Sequence, residues 1–336
     1  MKKILITGGS GFIGTNLIEF LLKKKIKIFN IDKISKISTP EKFKPKSKNY
    51  FFKKIDLNET SKLKKLIYLE NFDFIIHLAA ESHVDRSIDS PKKFFLNNIT
   101  SNLNLYDVVK RLVEQKKIKM PKMIHVSTDE VYGSVPFGSS LETSKIFTSS
   151  PYSGSKAASE NFAQAYMETF GLQICILRIT NNYGPFQFPE KFLPKSILNI
   201  FNKKQIPLYG KGKNIREWIY VGDTCEAIYK VIQNFKNKQI FNIGSSERLN
   251  NINILKKLLK ELNYSTKNIK YVKDRPGHDL RYALNSNKFK KTFRWKPKVD
   301  LTTGINKTII WYKKNKKWIK EINKNYKDKR LGKIEI

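Results

Sequence analysis

Apolar and polar positions along the first 180 residues switch repeatedly between short unbroken runs and helical stripes. Lys3-Ile4-Leu5-Ile6-Thr7 is a run of the first kind, the mark of a strand buried on both faces. Residues 12–24 are of the second kind, with Ile13, Leu17, Ile18, Leu21 and Leu22 on one helical face. Residues 26–31, 73–78 and 123–127 read as further strands, with a long helix at 91–115 between the last two. Residues 151–170 form another helix and lead into a strand at 172–178. This alternation predicts an α/β protein with a doubly wound parallel sheet covered by helices on both faces. After residue 180 the pattern loosens into what reads as a smaller α/β lobe. Residues 181–194, rich in Asn, Pro and aromatics, read as an ordered functional loop. Residues 33–49 are polar and Pro-containing and are expected to be mobile, while the lysine-rich stretch 313–329 reads as a surface helix and a frayed tail.

Length supports two closely associated lobes, since 336 residues exceed one ordinary core. No apolar run approaches the roughly 18 residues of a membrane span. Gly8 and Gly9 interrupt the first strand before a secretory signal could form, so a cytoplasmic location is expected. The only cysteines are Cys175 and Cys225, and no Cys/His cluster suggests a metal site. The net charge of +36 invites a nucleic-acid reading. The lysines are spread along the chain and accompany many Asn and Ile residues, the mark of an AT-rich genome. A groove reader shows clustered Arg and aromatic platforms instead. No specific nucleic-acid or membrane partner is expected.

The first strand runs into Gly8-Gly9-Ser10-Gly11-Phe12-Ile13-Gly14 and then a helix. Glycines at this spacing allow a tight turn and close approach of the backbone to a pyrophosphate, and the helix presents its free N–H groups to the phosphates. That context predicts a Rossmann-type dinucleotide site. Asp32 ends the second strand, where its carboxylate can accept bonds from the adenosine ribose and repel a 2′-phosphate, which favours NAD despite the neighbouring Lys33. Asp56-Leu57 follows the third strand, where an adenine edge could sit. Tyr152 and Lys156 lie four apart at the start of a helix and share a face. An ammonium near a phenol favours the phenolate, so Tyr152 is a credible base for a substrate hydroxyl. Ser127 and Thr128 end the preceding strand.

The segments Thr7-Gly8-Gly9, Gly11-Phe12-Ile13-Gly14, Leu78-Ala79-Ala80 and the Tyr152/Lys156 pair resemble the extended short-chain dehydrogenases/reductases that act on nucleotide sugars. The resemblance runs from Met1 to about Pro297. Four segments narrow it to the 4,6-dehydratases of that family: 78–87, Ser127-Thr128-Asp129-Glu130-Val131-Tyr132-Gly133, Asn181-Asn182-Tyr183-Gly184-Pro185 and 274–279. The resemblance implies a Rossmann domain over residues 1–180, rejoined by about 215–245. It also implies a nucleotide-sugar lobe at 181–214 and 246–320, and a basic tail at 321–336. The discriminating feature is Asp129-Glu130. An epimerase needs only oxidation, rotation and reduction, whereas a dehydratase needs one more acid and one more base. Adjacent carboxyls repel when both are ionised, which pushes one pKa upward.

On this resemblance the reaction turns dTDP-glucose into its 4-keto-6-deoxy product, with UDP- and CDP-glucose as open alternatives. Tyr152 takes the C4 hydroxyl proton, Thr128 hydrogen-bonds the C4 oxygen, Glu130 takes the C5 proton and Asp129 protonates the departing C6 hydroxyl. The family implies that NAD, recycled within each turnover, contacts Asn182 as well as the residues above. Asn181 and Ser82 would face the sugar, and Lys191, Arg216, Asn242, Arg275 and His278 the diphosphate. Asn98 would help order the site, and a homodimer would form through the helices at 91–115 and 151–170. Departures from the family pattern are Gly154 where Ala is usual, Glu217 where Asp is usual, and a shortened lysine-rich loop after Asp32. An epimerase, a decarboxylase and a non-catalytic NAD-binding regulator are the remaining alternatives. The regulator would be expected to lose Tyr152, Lys156 or the acid pair, and none is missing.

Overall fold

The structure, a computed structural model, describes residues 1–324. Most of the expected basic tail (321–336) therefore lies outside the described residues. The strands in chain order are β1 (Lys3–Thr7), β2 (Lys27–Asp32), β3 (Tyr50–Lys54), β4 (Phe74–His77), β5 (Lys122–Thr128) and β6 (Ile174–Ile179). They are followed by β7 (Asn181–Tyr183), β8 (Ile206–Tyr209), β9 (Ile215–Tyr220), β10 (Gln239–Ile243), β11 (Arg248–Asn250) and β12 (Ile269–Val272).

Seven of these form one sheet in the order β10-β6-β5-β4-β1-β2-β3, and every pairing in it is parallel. Every residue of β4 and β6 is buried, His77 and Arg178 included, as strands covered on both faces require. The helices Phe12–Leu22 and Val221–Gln233 cover one face through Leu17, Ile18, Ile228 and Val231. The helices Thr60–Glu70, Ser101–Glu114 and Pro151–Phe170 cover the other through Leu63, Ile67, Leu105, Val109 and Ala163. Chain order reverses on either side of β1, with β2 on one flank and β4 on the other. Such a switch point opens a crevice at the carboxyl ends of the strands, and the glycine turn follows β1 into it.

The second lobe has a three-stranded sheet, β11-β9-β7, and a parallel pair, β12-β8. Its own core includes Leu193, Ile197, Leu208, Leu255, Leu258, Ile305 and Trp318. The chain crosses between lobes more than once. β9 pairs with β7 and β11, the helix after it and β10 rejoin the large sheet, and the helix Asn287–Phe293 returns to pack Phe289 and Phe293 on Phe241.

Four local expectations are corrected. The helix expected at 91–115 is broken by a π-helical turn, Phe95–Thr100, between Pro91–Phe94 and Ser101–Glu114. Residues 181–194 are not all loop: β7 opens the segment and the helix Phe192–Phe201 closes it. Pro194 sits in the first turn of that helix, where its missing N–H costs no hydrogen bond. Residues 33–49 are tied down through their middle. The Thr39 N–H donates to Ser10 O at 2.7 Å, the Thr15 and Thr39 hydroxyls lie 3.1 Å apart, and Ile37 and Phe43 pack on the second lobe. Lys42 pairs with Glu321 across the same contact. Finally, the helix Lys316–Asn323 buries Trp318 and Ile322 against Trp311 and Tyr312, so this part of 313–329 belongs to the core. The rest of that stretch, from 325 on, lies outside the described residues.

Candidate active site

Gly8 holds φ at +70°, a conformation that side chains avoid, and a Cβ there would meet Ala79 Cα at 2.6 Å. A Cβ on Gly14 would fall 2.6 Å from Gly8 O, so the turn and helix can pack this closely only without side chains. The cavity above them is lined by Gly8, Gly11, Phe12, Ile13 and Gly14 at one end and by Ser127, Tyr152 and Lys156 at the other. Asp32, Lys33, Asp56, Leu57, Leu78, Ala79 and Ala80 line its length. Every expected cofactor residue is there except Asn182, which lines a second, adjoining cavity. Asn182 is also engaged internally, donating to Thr180 O at 2.9 Å and accepting from Thr224 Oγ1 at 2.6 Å. Asp32 accepts from the Ser10 and Ile34 N–H groups at 3.1 and 2.8 Å, and burial raises its pKa. Lys33 reaches across to Asn97 and lies 3.8 Å from Glu81. A glycine cradle followed by a carboxylate at the second strand fits an NAD-like dinucleotide.

Tyr152 and Lys156 project from the first turns of the helix Pro151–Phe170, whose start is closed by a reciprocal Ser150–Ser153 cap. The expected electrostatic link between them is corrected. Lys156 Nζ donates to Val126 O at 2.7 Å, and burial lowers its pKa to about 8. Tyr152 is instead pushed up, first by burial and then by the carboxylate of Glu130, against a hydrogen bond from Thr128. The protein alone therefore keeps this phenol protonated. Asn98, placed by the π-helical turn, accepts from the Glu81 N–H at 2.8 Å and donates to Glu81 O and to Ser155 Oγ at 3.0 and 2.8 Å. It ties the wall of the cofactor cavity to the helix that carries Tyr152.

The acid pair opens the turn Asp129–Tyr132 at the end of β5. Asp129 is 3% exposed and accepts from Thr180 Oγ1 at 2.8 Å. Burial, reinforced by Glu130, raises its pKa to about 8, so it is a carboxylic acid at neutral pH. Burial also raises Glu130, but Arg275, Arg216 and Lys191 oppose that rise, so the two carboxyls sit in different fields. Glu130 lines the second cavity together with Asn181, Lys191, Arg216, Arg275 and His278. Arg275 donates to Asp85 Oδ1 at 2.7 Å, and Tyr209 donates to Asp85 Oδ2 at 2.9 Å. Arg216 stacks 4.1 Å from the Tyr282 ring and donates to Asp279 O at 2.9 Å. Burial and then Arg275 lower His278 to about 4, so it is a neutral hydrogen-bonding group at neutral pH. Lys191 borders both cavities and donates to Ser82 O at 2.6 Å.

Two substrate expectations are changed. Ser82 lines the cofactor cavity. Asn242 is corrected: it lines neither cavity, is fully buried, and spends its amide on Ser140 O, Asn285 O and the Tyr132 hydroxyl. Sequence reasoning missed Asp85, Thr180, Asp279 and Tyr282 as partners of the site. Asp85 and Asp279 stood inside the quoted motifs, so position was a usable signal. Thr180 and Tyr282 gave none.

This arrangement is that of an extended short-chain dehydrogenase/reductase, the class the motifs resembled. The profile of the family described as GDP-mannose 4,6 dehydratase matches residues 5–308, and the chain belongs to that family. A probable dTDP-glucose 4,6-dehydratase of Sinorhizobium fredii is 39% identical over 99% of both chains. The dTDP-glucose 4,6-dehydratase of Salmonella typhimurium is 37% identical over 95% of both. Among solved structures, DesIV, a dTDP-glucose 4,6-dehydratase from Streptomyces venezuelae with NAD and TYD bound, superposes with a TM-score of 0.88 at 34% identity. It covers 94% of this chain and 98% of its own. The UDP-glucose 4-epimerase of Thermus thermophilus, in complex with NAD, gives 0.85 at 27% identity, over 93% of this chain and 99% of its own.

Proposed function

We propose that this protein is an NAD-dependent hydro-lyase that converts dTDP-glucose to its 4-keto-6-deoxy product. The observation that carries the reading is the adjacent pair of a buried Asp129, an acid at neutral pH, and a half-buried Glu130, placed beside Tyr152. An epimerase has no use for two such groups. Relatives over the full chain bear the dehydratase name, which supports the same substrate.

When bound along the glycine turn and Asp32, NAD would supply a reversible acceptor for the C4 hydride, which ends on C6, and a positive charge beside the phenol. With the positive charge of bound NAD favouring its phenolate form, Tyr152 Oη would receive the proton of the sugar C4 hydroxyl, and Thr128 Oγ1 would orient that oxygen. The C4 ketone so formed acidifies the C5 position, and Glu130 removes the C5 proton. Asp129 delivers its proton to the C6 oxygen, and that oxygen leaves as water. Lys156 holds its helix to Val126, so its ammonium is aimed at that carbonyl and not at the phenol. Arg216, Arg275 and Lys191 suit the diphosphate, since Arg and Lys meet phosphate oxygens directly.

A second copy of the chain is expected on the face where Phe95 and Leu96 of the π-helical turn and Phe162 of the Tyr152 helix stay exposed. A cytoplasmic setting is supported by the two buried free cysteines.

The test is to incubate the purified protein with dTDP-, UDP- and CDP-glucose and to follow the alkali-induced absorbance of a 4-keto-6-deoxy sugar. Product from dTDP-glucose is expected, and Glu130→Gln should abolish C5 hydrogen exchange with solvent. No product from any of the three, or undiminished exchange and turnover in the variant, would refute the reading.

A further inference from the structure

Tyr152, Lys156 and Glu160 are spaced four apart on one helix and form a single stripe. The first two line the cofactor cavity, and the third borders neither cavity and is fully buried. Glu160 holds Arg178 of β6, whose Nε donates to its two oxygens at 2.9 and 3.1 Å. Arg178 Nη1 donates to the Tyr132 hydroxyl and to Glu142 O. Tyr132 in turn donates to Asn242 Oδ1 at 2.9 Å. Tyr132 is the last residue of the turn that begins with Asp129 and Glu130. A buried ion pair is costly to desolvate and is weak support for stability, but it can fix one arrangement of the elements it joins. Here it joins the helix carrying the redox residues to the turn carrying the acid and the base.

We propose that Tyr132, held by the Arg178–Glu160 pair, is a positioning residue that registers the Asp129–Glu130 turn against the Tyr152 helix and so governs water elimination separately from C4 oxidation. The proposal rests on the 4,6-dehydration reading above. It also accounts for Asn242, which serves as the anchor of this network on β10. Loosening the turn leaves Tyr152 and Lys156 in place on their helix, so oxidation proceeds while Glu130 and Asp129 are misplaced for the next two proton transfers. The cofactor then waits in its reduced form.

The experiment compares Tyr132→Phe with the wild-type holoenzyme on dTDP-glucose. It measures kcat, KM, NAD content, Tm and the absorbance of reduced cofactor during turnover. The expected result is a fall in kcat of about tenfold to a hundredfold, with KM within about twofold. Reduced cofactor should accumulate in the steady state, as it should in Glu130→Gln, with NAD content unchanged. An unchanged kcat, a loss carried by KM, or a lower kcat without reduced cofactor would overturn the proposal while leaving the dehydratase reading intact. Failure of the wild type on all three sugars would sink both. Should Tyr132→Phe not fold, Arg178→Lys carries the same test, because an ammonium cannot span Glu160 and Tyr132 together.

Discussion

The substitution Asp129→Asn separates the acid's charge from its shape. Aspartate in an unfolded chain titrates near 3.9, whereas burial beside Glu130 raises Asp129 to about 8 in the folded protein. Between those values the folded state keeps a proton that the unfolded chain has released. Stability from this group is therefore present at low pH and lost as pH rises through the window. The slope is about 1.4 kcal/mol per pH unit for one proton. The amide put in its place would hold no titratable proton, and its carbonyl oxygen can still accept from Thr180. The variant should therefore lack this slope. From about pH 5 to about pH 7.5 the stability gap between the two proteins should move by roughly 3 kcal/mol in the variant's favour. Urea titrations followed by tryptophan fluorescence at several pH values measure that gap, and Glu130 is present in both proteins. Turnover should be lost in the variant, and in the wild type it should decline above about pH 8, where Asp129 gives up the proton that it donates to C6. A gap that stays constant with pH would refute the claim that Asp129 is held as a buried acid.

Gly14→Ala places a methyl 2.6 Å from Gly8 O and Gly9 Cα, and backbone cannot swing aside as a side chain can. Loss of about 1–3 kcal/mol from overpacking and loss of co-purifying NAD are expected, and full NAD content at unchanged Tm would contradict the close packing described. Trp318→Ala removes a fully buried indole from the aromatic cluster with Trp311 and Tyr312. It should cost about 3–5 kcal/mol, whereas Trp318→Phe should cost far less, and a loss under about 0.5 kcal/mol for the alanine variant would return this helix to the surface.

What could be read from the sequence was local. The glycine turn, Asp32 and the Tyr152/Lys156 stripe each lie within one strand, turn or helix, so spacing alone brings them to the cofactor cavity. The partner of Arg275 lies 190 positions away at Asp85, and no spacing rule reaches that far. Asn242 failed for another reason. A lone amide in a strand reads alike whether it faces a ligand or closes a buried network, and only the Tyr132 hydroxyl decides between them. The π-helical turn was hidden because one inserted residue hardly disturbs an apolar stripe, although it is what aims Asn98 inward. The polar composition of residues 33–49 concealed that Ser38 and Thr39 are buried against the glycine turn. The Tyr152 field was misjudged from spacing because sharing a helix face does not fix where the Lys156 ammonium points.

The detour of the chain before β10 bears on how the protein is made. β6 is complete at Ile179, but its outer neighbour begins 60 positions later at Gln239. At roughly 5–20 residues per second, synthesis leaves that edge of the sheet without its partner for about 3–12 s. During that interval Cys175, Leu177 and Ile179 belong to a strand whose free backbone groups can pair with another nascent chain. Translation speed across the second lobe therefore bears on the yield of folded protein, and a fragment ending near residue 180 should precipitate even though it contains the whole glycine turn and both redox residues.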